Sequence, residues 1–122
     1  MGRSYLLFEG ITMTLKEHTT RIIALLHEGE NVNHADWEEA VSQYMTYLNQ
    51  STDVSEIKEA AQEYGWTDLT TDLHIATSRR LVAVERSPDN LRLLANVLGA
   101  YGPDWDDEAA ELNREADERE KK

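Results

Sequence analysis

Cysteine is absent from this chain of 122 residues. Disulfides and thiolate metal ligation are therefore excluded, and a cytoplasmic location is the expectation. Large apolar residues are thin, with a single phenylalanine. No apolar run approaches the roughly 20 residues that span a bilayer, so no membrane association is expected. The stretch Tyr5-Leu6-Leu7-Phe8 is too short for a signal-peptide core and has no small-residue cleavage site after it. Lysine is scarce as well: Lys16, Lys58, Lys121 and Lys122 stand against eight arginines. Period-two alternation and Asn-Gly or Asp-Gly hairpin signals are missing, which excludes a sheet-based fold.

Negative charge is what the chain has in excess. Twenty-four acidic residues face 12 basic ones, a formal net charge of −12. A sequence-independent grip on nucleic acid backbone needs clustered Lys and Arg, so nucleic acid is not the expected partner. An acid-rich, lysine-poor surface over a modest core also fits a salt-loaded cytoplasm, where screening removes self-repulsion. The length suits one domain.

Helical periodicity runs from Leu15 almost to the end. Thr14 and Glu17 form a capping-box pattern. Leu15, Ile22, Leu25 and Leu26 share one face of a helix that should end at Gly29, a residue suited to a left-handed cap. Asn33 opens a second helix with the stripe Trp37, Val41, Tyr44, Met45 and Leu48, and Val32 is placed to staple Trp37. Asp53 and Glu56 open a third, with Val54, Ile57, Ala60, Ala61 and Tyr64 inward and Gly65 near its end. A fourth is expected from Thr67 or Asp68, with Leu69, Leu73, Ala76, Leu81 and Val84. Ser87-Pro88 closes it and starts the fifth, which buries Leu91, Leu94, Ala95, Leu98 and Tyr101. After Gly102-Pro103, Asp104 should cap a sixth helix with Trp105, Ala109, Leu112 and Ala116 inward. Short connections make neighbours antiparallel. The reading is an all-α chain of about six antiparallel helices, paired as three helical hairpins. Residues 1–12 read as an arm or upstream extension, 13–116 as the helical domain and 117–122 as a charged, frayed tail.

Two stretches echo each other 34 residues apart: Ile57, Ala61, Gly65, Asp72, Ala76 and Arg80 against Leu91, Ala95, Gly99, Asp106, Ala110 and Arg114. That period belongs to helix–turn–helix units that bury an apolar face against their neighbours. Ala76, Ala83 and Pro88 are spaced as two small residues and the junction proline of the tetratricopeptide repeat. Asn96, Val97, Ala100 and Tyr101 fall where that family often has Asn, Leu, Ala and Tyr, and Ala110 sits at its next small position. Residues 54–120 thus resemble that family. The departures are Tyr64 and Leu98 at a small position, and Arg80 and Arg114 at a large apolar one. The resemblance implies a repeat array, with a compact helical bundle as the other arrangement. It also implies a protein–protein adaptor, in which Lys58 and Arg92, at equivalent points 34 residues apart, would hold a partner's carboxylates. The alternative for that pair is solvated cations with acidic neighbours.

Catalytic chemistry is not signalled. His18, His27, His34 and His74 show no His-Glu-x-x-His spacing, and no phosphate loop or nucleophile elbow occurs. No enzyme activity, cofactor or metal is expected. Asp104, Asp106, Asp107 and Glu108 read as carboxylates placed at a helix N-terminus, not as a calcium loop. Two other functions compete with the adaptor. Residues 54–81 could form a DNA-binding helix-turn-helix with Arg79 and Arg80 on phosphates. The acids between Asp104 and Glu120 could instead imitate nucleic acid in a basic groove.

Overall fold

The computed structural model describes residues 13–64 and 70–121. Six α-helices are found among them and no strand: α1 (Leu15–His27), α2 (His34–Gln50), α3 (Val54–Glu63), α4 (Thr71–Val84), α5 (Pro88–Ala100) and α6 (Asp106–Glu120). The caps follow the local chemistry. Glu17 N–H donates to Thr14 Oγ1 (3.1 Å), while Thr14 N–H donates to Glu17 Oε1 (2.8 Å). Asn33, Asp53 and Ser87 accept from first-turn amides of α2, α3 and α5. Each satisfies a donor that the helix itself cannot. Gly29, just past α1, has φ +58°, the left-handed geometry that favours glycine.

Pairwise contacts fix the directions. His18 packs on the Tyr47 ring at 5.3 Å, and Arg21 donates to Gln43 (2.7 Å) and Glu39 (3.2 Å), so α1 and α2 are antiparallel. Arg92, early in α5, meets Asp117 and Glu120 at the end of α6. The even helices, by contrast, run in parallel. Tyr44 of α2 bonds Thr77 of α4, and Arg80 donates twice to the Ser51 carbonyl beyond α2. Arg79 and Arg86 of α4 meet Glu108 and Glu115 of α6. The chain is thus three hairpins, α1–α2, α3–α4 and α5–α6, laid side by side.

Helix α4 is the wall between two apolar cores. Leu73 and Leu81 face Leu15, Ile22, Tyr44, Leu48 and Ile57. Ile75 and Val82 face Leu91, Leu94, Leu98 and Leu112. Its buried hydroxyls cost little, because Thr77 donates to the Leu73 carbonyl (2.7 Å) and Ser78 to that of His74 (2.9 Å). Asn90, also buried, ties the α4–α5 turn by donating to the Glu85 carbonyl (2.9 Å).

Several expectations are corrected here. Helix α4 starts at Thr71, and the expected start at Thr67 or Asp68 lies with Leu69 outside the described residues. Asp104 does not cap α6. A 3-10 turn, Pro103–Trp105, leads into it, and Trp105 occupies the N-cap without a side-chain bond. Residues 117–120, expected to fray, are helical. Trp37 and Trp105 head their stripes but are only half-buried, because each sits at the rim of its core. Ala83 and Ala110, which the resemblance puts at the family's small positions, are exposed.

Candidate functional site

A groove of about 470 Å3 runs between α3 and α5, with α4 beneath it. Ala61, Leu93 and Val97 supply apolar surface. Gln62 stands on the α3 wall, and Asp89, Arg92 and Asn96 stand on the α5 wall. Asp89, Arg92, Leu93 and Asn96 share this wall because residues three and four apart lie on one helix face. Gln62 and Asn96 are exposed.

The inner end is built from rings. His74, buried on α4, packs between Tyr64 (centroids 6.0 Å) and Tyr101 (5.6 Å, edge-on). Its Nδ1 is 2.8 Å from the Tyr101 hydroxyl. Burial lowers the His74 pKa, so the neutral ring is favoured and its two nitrogens divide into one donor and one acceptor. Asp72 is exposed on another side of α4 and does not join this cluster. Tyr64 in turn packs edge-on to Tyr44 at 5.9 Å. The floor is therefore continuous with the first core and well fixed.

Of the two basic residues singled out by the repeat register, only Arg92 lines the groove. Lys58, one turn before Gln62 on α3, is half-buried, and the lining does not include it. Arg92 is also not a free cation. It donates to Asp117 (2.8 Å) and to Glu120, and those two bonds are the main reason its pKa is raised. Its guanidinium is turned onto α6. The expected pair of partner-holding cations is thus one committed arginine and one lysine elsewhere. Sequence reasoning missed Gln62, Asp89 and His74 as groove residues, and no local signal marks them.

Every arginine among the described residues is engaged. Arg79 grips Glu108 (2.6 and 3.1 Å) and lies 5.8 Å over the Trp105 ring. Arg86 grips Glu115 (2.6 and 2.7 Å), and Arg119 donates to the same carboxylate. Those bonds hold Glu115 down to about 2. Arg79 is thus tied to Glu108 and Arg80 to the Ser51 carbonyl. Among the described residues no group of three metal-capable side chains forms. No helix among them is long and apolar enough to cross a membrane.

A second hollow of about 270 Å3 lies at the α1–α2 end, lined by Leu25, Leu26, Val32, His34 and Trp37. Its lining explains why Trp37 remains half-exposed.

Fold and groove together define an all-α protein of three helical hairpins with an open cleft between the second and third. Comparison with protein-family models, with curated proteins and with solved structures gave no match.

Proposed function

We propose that this is a small adaptor that holds a protein partner in the groove between α3 and α5, with no catalytic step and no cofactor. One observation carries the reading. The groove is open, has apolar surface at its base and exposed amides on both walls, and rests on a fixed aromatic floor. Such a cleft suits a peptide or helix from a partner, whose apolar side chains bury while the walls hydrogen-bond its polar groups. The tetratricopeptide resemblance belongs to this proposal and rests on the 34-residue echo; the exposure of Ala83 and Ala110 weighs against it. A cytoplasmic setting also belongs to it, on the absence of cysteine. The helix-turn-helix reading has less support, because α4 is packed against α2, α3 and α5. The nucleic-acid-imitating reading rests on acidic residues whose carboxylates are partly tied to arginines.

The test fills the groove. Asn96 is exposed, so Asn96→Trp places an indole across the cleft without disturbing either core. Partner capture from native lysate should be lost while the melting temperature stays within a degree or so. Capture that survives unchanged overturns the groove as the binding surface.

A further inference from the structure

We infer that the occupant of this groove is a basic segment, with lysine or arginine side chains spaced among apolar ones. This rests on the adaptor reading above and gives its partner a chemistry. It also reverses the sign expected from Lys58 and Arg92.

The charges around the groove decide it. Arg92 has both of its acidic partners on α6, so its charge is already opposed by Asp117 and Glu120. Asp89 lies three residues before it on the same wall and would ordinarily pair with it. With the guanidinium turned away, Asp89 is exposed at the groove and has no ion-pair partner among the described residues. On α3, Glu59 and Glu63 are exposed and form no ion pair among the described residues, but neither they nor Lys58 line the groove. The charged lining is thus one carboxylate, Asp89, and one arginine, Arg92, whose charge is opposed by two carboxylates on α6. The remaining described arginines are committed elsewhere, and Lys121, next to Glu120 at the end of α6, is the one further described cation that adjoins these acids in sequence.

A partner cation entering beside Asp89 meets a carboxylate without an ion-pair partner among the described residues, next to an arginine already opposed by Asp117 and Glu120. Its apolar neighbours meet Ala61, Leu93 and Val97 at the base. An acidic segment meets repulsion from Asp89 on the α5 wall instead. Like charges across an interface reject a partner more strongly than rim pairs attract one, so the sign of the groove acts chiefly as a filter.

The probes are two fluorescein-labelled helical peptides with identical apolar positions, one with lysine and one with glutamate at the polar positions. Binding to the full chain is followed by fluorescence anisotropy. The lysine peptide should bind, weaken as salt rises, and lose about tenfold in affinity with Asp89→Lys. Asp36→Lys makes the same change in net charge at an exposed site far along the chain. It should shift affinity by less than about twofold if the effect is local and not the general pull of a −12 protein.

Three results overturn the inference, and they differ in what else they remove. Preference for the glutamate peptide, abolished by Asn96→Trp, refutes the charge assignment and leaves the groove standing. Lysine-peptide binding weakened equally by Asp89→Lys and Asp36→Lys reduces the effect to net charge. Binding of either peptide that Asn96→Trp leaves intact, or binding of neither, removes the groove as well.

Discussion

Removing one oxygen from the first core should make this protein more stable. Tyr64 is 5% exposed, and its hydroxyl has no hydrogen-bond partner among the described residues. Tyr44 and Thr19 oxygens are close enough to influence its ionisation, yet none meets it at bonding geometry. The protons of these neighbours are already placed. Thr19 donates to the Leu15 carbonyl (2.8 Å) and Thr77 to that of Leu73 (2.7 Å). Thr77 can therefore only accept from Tyr44, which fixes the order Tyr44 to Thr77 to Leu73. Burial accordingly pushes the Tyr64 phenol far above its usual range. A buried polar group without a partner costs about 1–3 kcal/mol. Tyr64→Phe keeps the ring against Tyr44 and His74 and removes that cost, so a gain of about 1 kcal/mol is expected. At this chain length the melting temperature should rise by about 3–5 °C. Tyr44→Phe is the control, since it deletes a donor in use and should lose about 1 kcal/mol. Urea unfolding followed by circular dichroism at 222 nm gives both values, provided the denaturant slopes agree. A loss of 1 kcal/mol or more for Tyr64→Phe would show that its hydroxyl is paired and refute the reasoning.

Acid should loosen α6 first. Arg79, Arg114 and Arg86 hold the pKa values of Glu108, Glu111 and Glu115 below the ordinary carboxylate value. Their contribution is complete above the unfolded value near 4.5 and is lost as pH falls toward about 2, where Glu115 titrates. Carboxyl resonances followed by NMR check this, and Glu115 titrating near 4.5 contradicts the Arg86 bond. His18 and His74 have values lowered chiefly by burial, so stability should fall as pH drops below 6.5, with ring midpoints beneath that value. Molar salt should raise the melting temperature by screening the −12 charge, although it also weakens the exposed arginine pairs; an unchanged curve removes the salt-adapted reading. Trp37→Ala should cost about 2 kcal/mol by denaturant unfolding, less than the 3–5 kcal/mol of a fully buried aromatic, because Trp37 sits at the rim of its core. Arg92→Glu should speed hydrogen exchange in the last turn of α6, where Asp117 and Glu120 lose their cation.

Helix existence and most boundaries were legible in the sequence because caps and single stripes are local. The Thr14–Glu17 box, the Asn33, Asp53 and Ser87 caps and the left-handed Gly29 all depend on atoms within a few residues of one another. The stripe of α5 is of the same kind, since one face of that helix is buried. Helix α4 shows where local reading stops. One stripe, Leu73 and Leu81, was visible, whereas Ile75 and Val82 serve a second core on another side. A helix buried on two sides loses the contrast that periodicity measures.

Charge followed the same division. Composition alone determined the −12 balance, the scarcity of lysine and the exclusion of thiol chemistry. Which arginines remain available to a partner was decided only by packing. Arg79 reaches Glu108 and Arg86 reaches Glu115 because α4 and α6 run parallel, so that partners seven residues apart on each helix stay in register. Arg92 reaches Asp117 and Glu120 because α5 and α6 run antiparallel, bringing the start of one helix to the end of the other. Sequence spacing carries the direction of a helix's own face but not the direction of its neighbour. The helices were therefore readable one at a time, while the groove, its aromatic floor and the sign of its walls came into being only when the hairpins packed together.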